Sequence, residues 1–183
     1  MFKHKLIWLI AILGMFAIVF CHALSILPSS TIKWKIDKGS SRQIRDFLAR
    51  GGDPNMEFST GGGTKSTTRP LHYAVRQGNV KICEILLEYG ANPNLRDYNK
   101  QTALMNVFTY GANAESKNRV FDLLLPLTNL SLQDEGGRTV LHYIALYGNA
   151  EQYRRVAEMN PGLANVLDKG GKSPHEMVPW PYK

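Results

Sequence analysis

Arg69-Pro70-Leu71-His72-Tyr73-Ala74-Val75-Arg76-Gln77-Gly78-Asn79-Val80-Lys81-Ile82-Cys83-Glu84-Ile85-Leu86-Leu87-Glu88-Tyr89-Gly90-Ala91-Asn92-Pro93-Asn94 is the stretch that decides the fold. Pro70 suits the first turn of a helix, where a missing N–H is no loss, and Gly78 stops that helix. A second helix follows at once. Val80, Ile82, Cys83, Ile85, Leu86 and Leu87 cluster on one of its faces, and Lys81, Glu84 and Glu88 fall on the other. The stretch therefore predicts a short helix, a glycine-containing turn, a second helix and a loop, Gly90 to Asn94. Cys83 belongs to the core, and with the other cysteine at Cys21 no disulfide is expected.

The unit recurs. Leu71 and Leu104 are 33 residues apart, Leu104 and Leu141 are 37 apart, and Thr139 and Ser173 are 34 apart. Thr102-Ala103-Leu104 opens one unit and Thr139-Val140-Leu141-His142 the next, while Ser173-Pro174 begins a truncated one; Asp97, Asp134 and Asp168 each precede the opening hydroxyl residue by five positions. That hydroxyl is placed to cap the coming helix. Upstream, Gly39 to Gly51 matches Gly78 to Gly90 in length, and Phe47 to Asn55 falls in register with the later loop. The Pro-Leu-His opening, the loop after the second helix and the period resemble the ankyrin repeat.

The resemblance implies an all-α repeat solenoid of about four to five ankyrin repeats, each a helix-turn-helix with a finger loop, across residues 29–178. Its units run over about 31–55, 69–94, 102–131, 139–165 and 173–178, with a tail at 179–183. Gly39, Gly78, Gly111 and Gly148 end the inner helices. His72 and His142 are then structural histidines, and Tyr73 and Tyr143 wedge between neighbouring inner helices. The chain departs from the pattern at Arg69, in place of a capping Thr, and at Met105, in place of His. Two insertions, Met56 to Thr68 and Asn113 to Asn118, are candidate binding loops. Trp180 and Tyr182 are expected to cover the last hydrophobic face.

The first 28 residues stand apart. Lys3 and Lys5 precede 15 apolar residues, Leu6 to Phe20, and then Cys21, His22 and Ala23. This reads as a signal peptide, with Cys21 and Ala23 as a small-x-small cleavage pattern, or as an uncleaved anchor over residues 6–27, long enough to span a bilayer. Either reading puts the repeats outside the cytoplasmic membrane. The expected location is periplasmic or inner-membrane-anchored, or secreted in a cell without an outer membrane.

The 183 residues carry 22 Lys and Arg against 15 Asp and Glu, a net charge of +7. Without Lys3 and Lys5 the excess falls to +5 and is scattered, so no nucleic-acid partner is expected. Gly61 to Ser66 looks like a phosphate loop but has Thr64 where a glycine must precede the lysine. His175-Glu176 lacks the second histidine of a zinc motif. No nucleophile, base and carboxylate recur in a motif. The expectation is no catalytic residue, no cofactor and no metal, hence a protein that is not an enzyme.

The resemblance further implies a protein partner bound on the concave face of inner helices and finger tips. Transferred residue by residue, the partner-binding set is Arg76, Gln77, Thr109, Tyr110, Leu146 and Tyr147 on the inner helices and Tyr98, Asn99, Gln101, Glu135 and Arg138 on the fingers. Tyr98, Tyr110, Leu146 and Tyr147 are the anchors, because tyrosine offers a large contact area with a polar tip. Small exported ankyrin proteins of this layout resemble immunity proteins that block a secreted toxin. A general envelope scaffold for a redox or wall enzyme is the alternative, and an enzyme or metal protein using His72, His142 or His175 a third reading.

Overall fold

A computed structural model describes residues 30–60, 67–110 and 113–179. The leader, the Gly61–Ser66 motif, Gly111 and the tail residues Trp180 and Tyr182, on which four expectations fall, lie outside these residues. The described chain forms α1 (Ser30–Asp37), α2 (Ser41–Ala49), β1 (Phe58–Ser59), β2 (Thr67–Thr68), α3 (Pro70–Arg76), α4 (Val80–Glu88), α5 (Ala103–Thr109), α6 (Ala114–Leu124), α7 (Val140–Tyr147), α8 (Ala150–Met159) and α9 (Pro174–Met177), with short 3-10 turns at Leu125–Leu127 and Pro161–Asn165.

The helices form two rows of a repeat solenoid. α1, α3, α5, α7 and α9 pack each on the next, and α2, α4 and α6 do so behind them. α8 joins the outer row through polar links: Gln152 Nε2 donates to Asn118 Oδ1 at 3.0 Å and Arg155 Nη1 to Asp122 Oδ1 at 2.7 Å. The apolar face read from the second unit is the core, with Ile82, Cys83, Ile85 and Leu86 fully enclosed. Burial pushes the Cys83 thiol up to about 12, which leaves it protonated and inert.

Capping follows the sequence. Thr102 accepts the N–H of Met105, Pro70 and Pro174 occupy the first turns, and Ser173 and Glu176 close a reciprocal box in which Glu176 Oε2 accepts the Ser173 N–H at 2.8 Å. Gly148 ends α7 for a different reason from Gly39 and Gly78. Those two hold left-handed backbone at φ 62° and 65°, whereas Gly148 has φ −93° and is needed because a Cβ there would meet Ile144 Cγ2 at 2.7 Å.

Both insertions differ from their expected form. Asn113 caps α6 by accepting the N–H of Ser116 at 2.8 Å, and residues 114–118 wind into the first turns of that helix instead of a loop. The first insertion pairs with itself: Phe58 lies opposite Thr68 and Ser59 opposite Thr67 in an antiparallel ladder. An all-α description is therefore incomplete. Phe58, 2% exposed, anchors the ladder edge-to-face on Tyr73 with ring centres 5.5 Å apart.

Candidate partner-binding surface

After the first finger, residues 56–68, each of the next three is a turn tied by one aspartate, at 97–101, 134–138 and 168–172. Asp97 Oδ1 accepts the N–H groups of Asn99 and Gln101 at 2.9 and 3.0 Å, Asp134 Oδ1 that of Arg138 at 2.8 Å, and Asp168 Oδ1 those of Gly170 and Lys172 at 2.8 and 3.1 Å. Those donors hold the Asp168 carboxyl below its usual range, the Lys172 N–H most of all. The fingers are also stitched together. Glu135 N–H donates to the Asn99 carbonyl at 3.0 Å, and Lys169 N–H to that of Gly136 at 2.8 Å. The spacing of Asp97, Asp134 and Asp168 was visible in the sequence, but spacing did not reveal that the carboxylates turn inward.

Beneath the second and third fingers runs a buried polar chain that sequence reasoning missed. The Arg76 guanidinium donates through Nη2 to Asp97 Oδ2 and through Nε to Asn106 Oδ1, both at 2.9 Å. Asn106 Nδ2 donates to Asp97 Oδ2 at 3.2 Å, Gln101 Nε2 donates to Tyr143 Oη at 2.7 Å, and Tyr143 Oη donates to Asp134 Oδ2 at 2.5 Å. Burial, reinforced by the Asp134 carboxylate, drives the Tyr143 hydroxyl well above the ordinary tyrosine range. Tyr73 makes the same gesture at the amino end, donating to Asp37 Oδ1 at 2.6 Å. Tyr73 and Tyr143 are both buried.

The expected contact residues divide accordingly. Gln101 is a correction: at 7% exposure its amide serves Tyr143 and faces no partner. Arg76 is half-buried and held by Asp97 and Asn106, with its guanidinium 4.3 Å from the centre of the Tyr110 ring and 6.0 Å from that of Tyr98. Tyr110 is thus half-covered, a wall for Arg76 more than a free anchor. Tyr98, Leu146 and Tyr147 stand 42%, 39% and 59% exposed, and Gln77, Thr109 and Glu135 are exposed beside them. Asn99 and Arg138 are partly exposed, the latter leaning on Asp168 Oδ2 at 3.3 Å. Among the described residues no group of acidic, histidine and cysteine side chains is placed to hold a metal.

The ankyrin-repeat family model matches residues 69–98. A rice protein named as a probable E3 ubiquitin-protein ligase, XBOS32, is 41% identical over 59% of this chain and 21% of its own length. The Arabidopsis thaliana E3 ubiquitin-protein ligase XBAT33 is 42% identical over 55% of this chain and 18% of its own. A putative ankyrin repeat protein, L371, of Acanthamoeba polyphaga mimivirus is 24% identical over 62% of this chain and 22% of its own. The chain thus spans about a fifth of the length of these relatives.

Two expectations fall here. The reading as a protein that is not an enzyme rested on repeats without a catalytic constellation, yet relatives 41% and 42% identical over more than half of this chain are named ligases. The placement in a periplasm or on a bacterial inner membrane falls too, because the ligase-named relatives are plant proteins, from cells without that envelope. Membrane association has no support beside it. Among the described residues no helix is long and apolar enough to cross a membrane, and residues 6–27 lie outside them.

Proposed function

The chain is an ankyrin-repeat protein, and from that premise we propose that it binds a protein partner on the face made by its inner helices and fingers. One observation carries the reading. Leu146 and Tyr147 at the end of α7 and Tyr98 on a finger expose apolar surface on this face, while the polar groups beneath them are bonded to one another. Such a face is fixed before binding, so little ordering entropy is lost when a partner arrives. Gln77, Asn99, Thr109, Glu135 and Arg138 form its polar rim. The units are taken as about 31–55, 69–94, 102–131, 139–165 and 173–178, a division that the alternation of the two helix rows supports.

The names of the relatives favour one narrower version, in which the captured protein is a target for ubiquitin transfer. None of the relatives described above is named for toxin immunity or for an envelope enzyme. Quantitative mass spectrometry of proteins retained by the immobilised chain tests the surface: a partner retained by wild type and lost with Leu146→Ala/Tyr147→Ala supports it. A retained partner whose ubiquitin conjugates are unchanged when this protein is removed from its cells counts against the narrower version and leaves the surface standing.

A further inference from the structure

The widened first finger, residues 56–68, leaves a cleft of about 80 Å³ between β2 and the second finger, and Glu57, Thr68, Arg69, Arg96, Asp97 and Tyr98 are among its walls. Two of these walls carry unpaired polar atoms. Thr68 Oγ1, on a residue 2% exposed, and Arg69 Nε are buried without a hydrogen-bond partner. Buried polar groups are paired in the great majority of cases, so two orphans on one cleft call for an acceptor from outside the chain. Arg69 makes the case sharper, since it occupies the place of a helix-capping hydroxyl and makes no side-chain cap bond. The position gives up a cap and sets a guanidinium into the cleft wall.

The chemistry of the missing acceptor is shown by the chain itself. The Glu57 carboxylate, on a side chain 60% exposed, already accepts from Arg69 Nη2 at 2.5 Å, and Arg69 Nη1 is held by the Asn55 carbonyl at 2.6 Å. The donors left in the wall are arginines. Arg69 and Arg96 stand in the cleft wall against one outward acid, Glu57, because both oxygens of Asp97 are spent on its own turn and on Arg76 and Asn106. Resting on the reading that this face receives a protein, we propose that the cleft takes the carboxylate of an Asp or Glu side chain from an acidic stretch of that partner. Arg69 Nε and the Thr68 hydroxyl donate to it, and Arg96 pairs with it from the second finger.

The test is an NMR titration of the full chain with blocked hexaglutamate, with hexaglutamine and inorganic phosphate as parallel probes. Hexaglutamate is expected to shift the Arg69 Nε–H and Thr68 signals saturably, and hexaglutamine to leave them in place. Thr68→Val keeps the shape and removes an unpaired hydroxyl, so it folds; it and Arg96→Gln are each expected to weaken binding about tenfold. Glu57→Gln, which removes the internal competitor, is expected to tighten it. Shifts confined to exposed lysines, or full affinity in Thr68→Val, overturn the proposal. Phosphate that saturates the same signals as tightly as hexaglutamate overturns it in favour of a small free anion. Failure of hexaglutamate while the Leu146–Tyr147 face still captures its partner refutes the cleft alone, and loss of that capture with hexaglutamate binding intact refutes only the surface.

Discussion

His142 accepts the backbone N–H of Thr139 on Nδ1 at 3.0 Å, while its Nε2 faces the carbonyl of Lys172 at 3.2 Å. One imidazole thus closes its own helix start and ties it to the next unit. His72 repeats only half of this: Nε2 lies 3.0 Å from the Gln101 carbonyl, and Nδ1 is buried without a partner. The difference lies at Arg69, whose guanidinium is drawn away to Asn55 and Glu57.

Arg69→Thr is therefore expected to complete the motif and to leave the protein as stable or more stable, by up to about 1 kcal/mol. Chemical denaturation measures this. A fall of more than that amount would show that the Asn55 and Glu57 contacts outweigh the cap.

Acid is expected to weaken the fold through the same two histidines. Burial lowers His72 to about 4 from 6.5 and lowers His142 in the same direction. Below about pH 6.5 the unfolded chain takes up protons that the folded chain refuses. This contribution is fully present above 6.5, is lost as the pH falls toward 4, and amounts to roughly 3 kcal/mol for His72. Melting temperatures from pH 7.5 to 4.5 should fall along this window, and His72→Gln should flatten the slope.

Tyr143→Phe is expected to cost about 1–3 kcal/mol, because it strands Gln101 Nε2 and Asp134 Oδ2 together. Thermal denaturation reads the loss. An unchanged midpoint would mean that water replaces the hydroxyl and that the chain of bonds beneath the fingers is not closed.

The finger turns give a paired test. Lys100 holds left-handed backbone at φ 59° where the next finger has Gly137 at 79°. Lys100→Gly is expected to stabilise by about 1 kcal/mol. Gly137→Ala is expected to destabilise, since its Cβ would also meet the Lys169 backbone nitrogen at 3.1 Å.

The helical rows were legible because their signals are local: the apolar faces, the caps at Thr102 and Ser173, and the prolines at 70 and 174 each act within one turn of chain. What escaped depends on contacts between units. Gln101 looks like any finger residue until Tyr143, 42 positions later, folds back onto it. The β1–β2 ladder is two residues long on each strand and owes its place to Phe58 packing on Tyr73, which no alternation in Met56 to Thr68 announces. Arg69 was visible as a departure from the repeat, but its cost and its use appear only beside His72 and the cleft.

The most direct test of the binding face is a comparison of two double variants in the same capture experiment. Leu146→Ala/Tyr147→Ala strips the exposed anchors of the inner row, and Leu127→Ala/Met159→Ala strips comparable apolar exposure, 48% and 55%, from the outer side. The account predicts that the first loses the partner and the second keeps it, with both melting close to wild type. Retention by the first variant and loss by the second would contradict it.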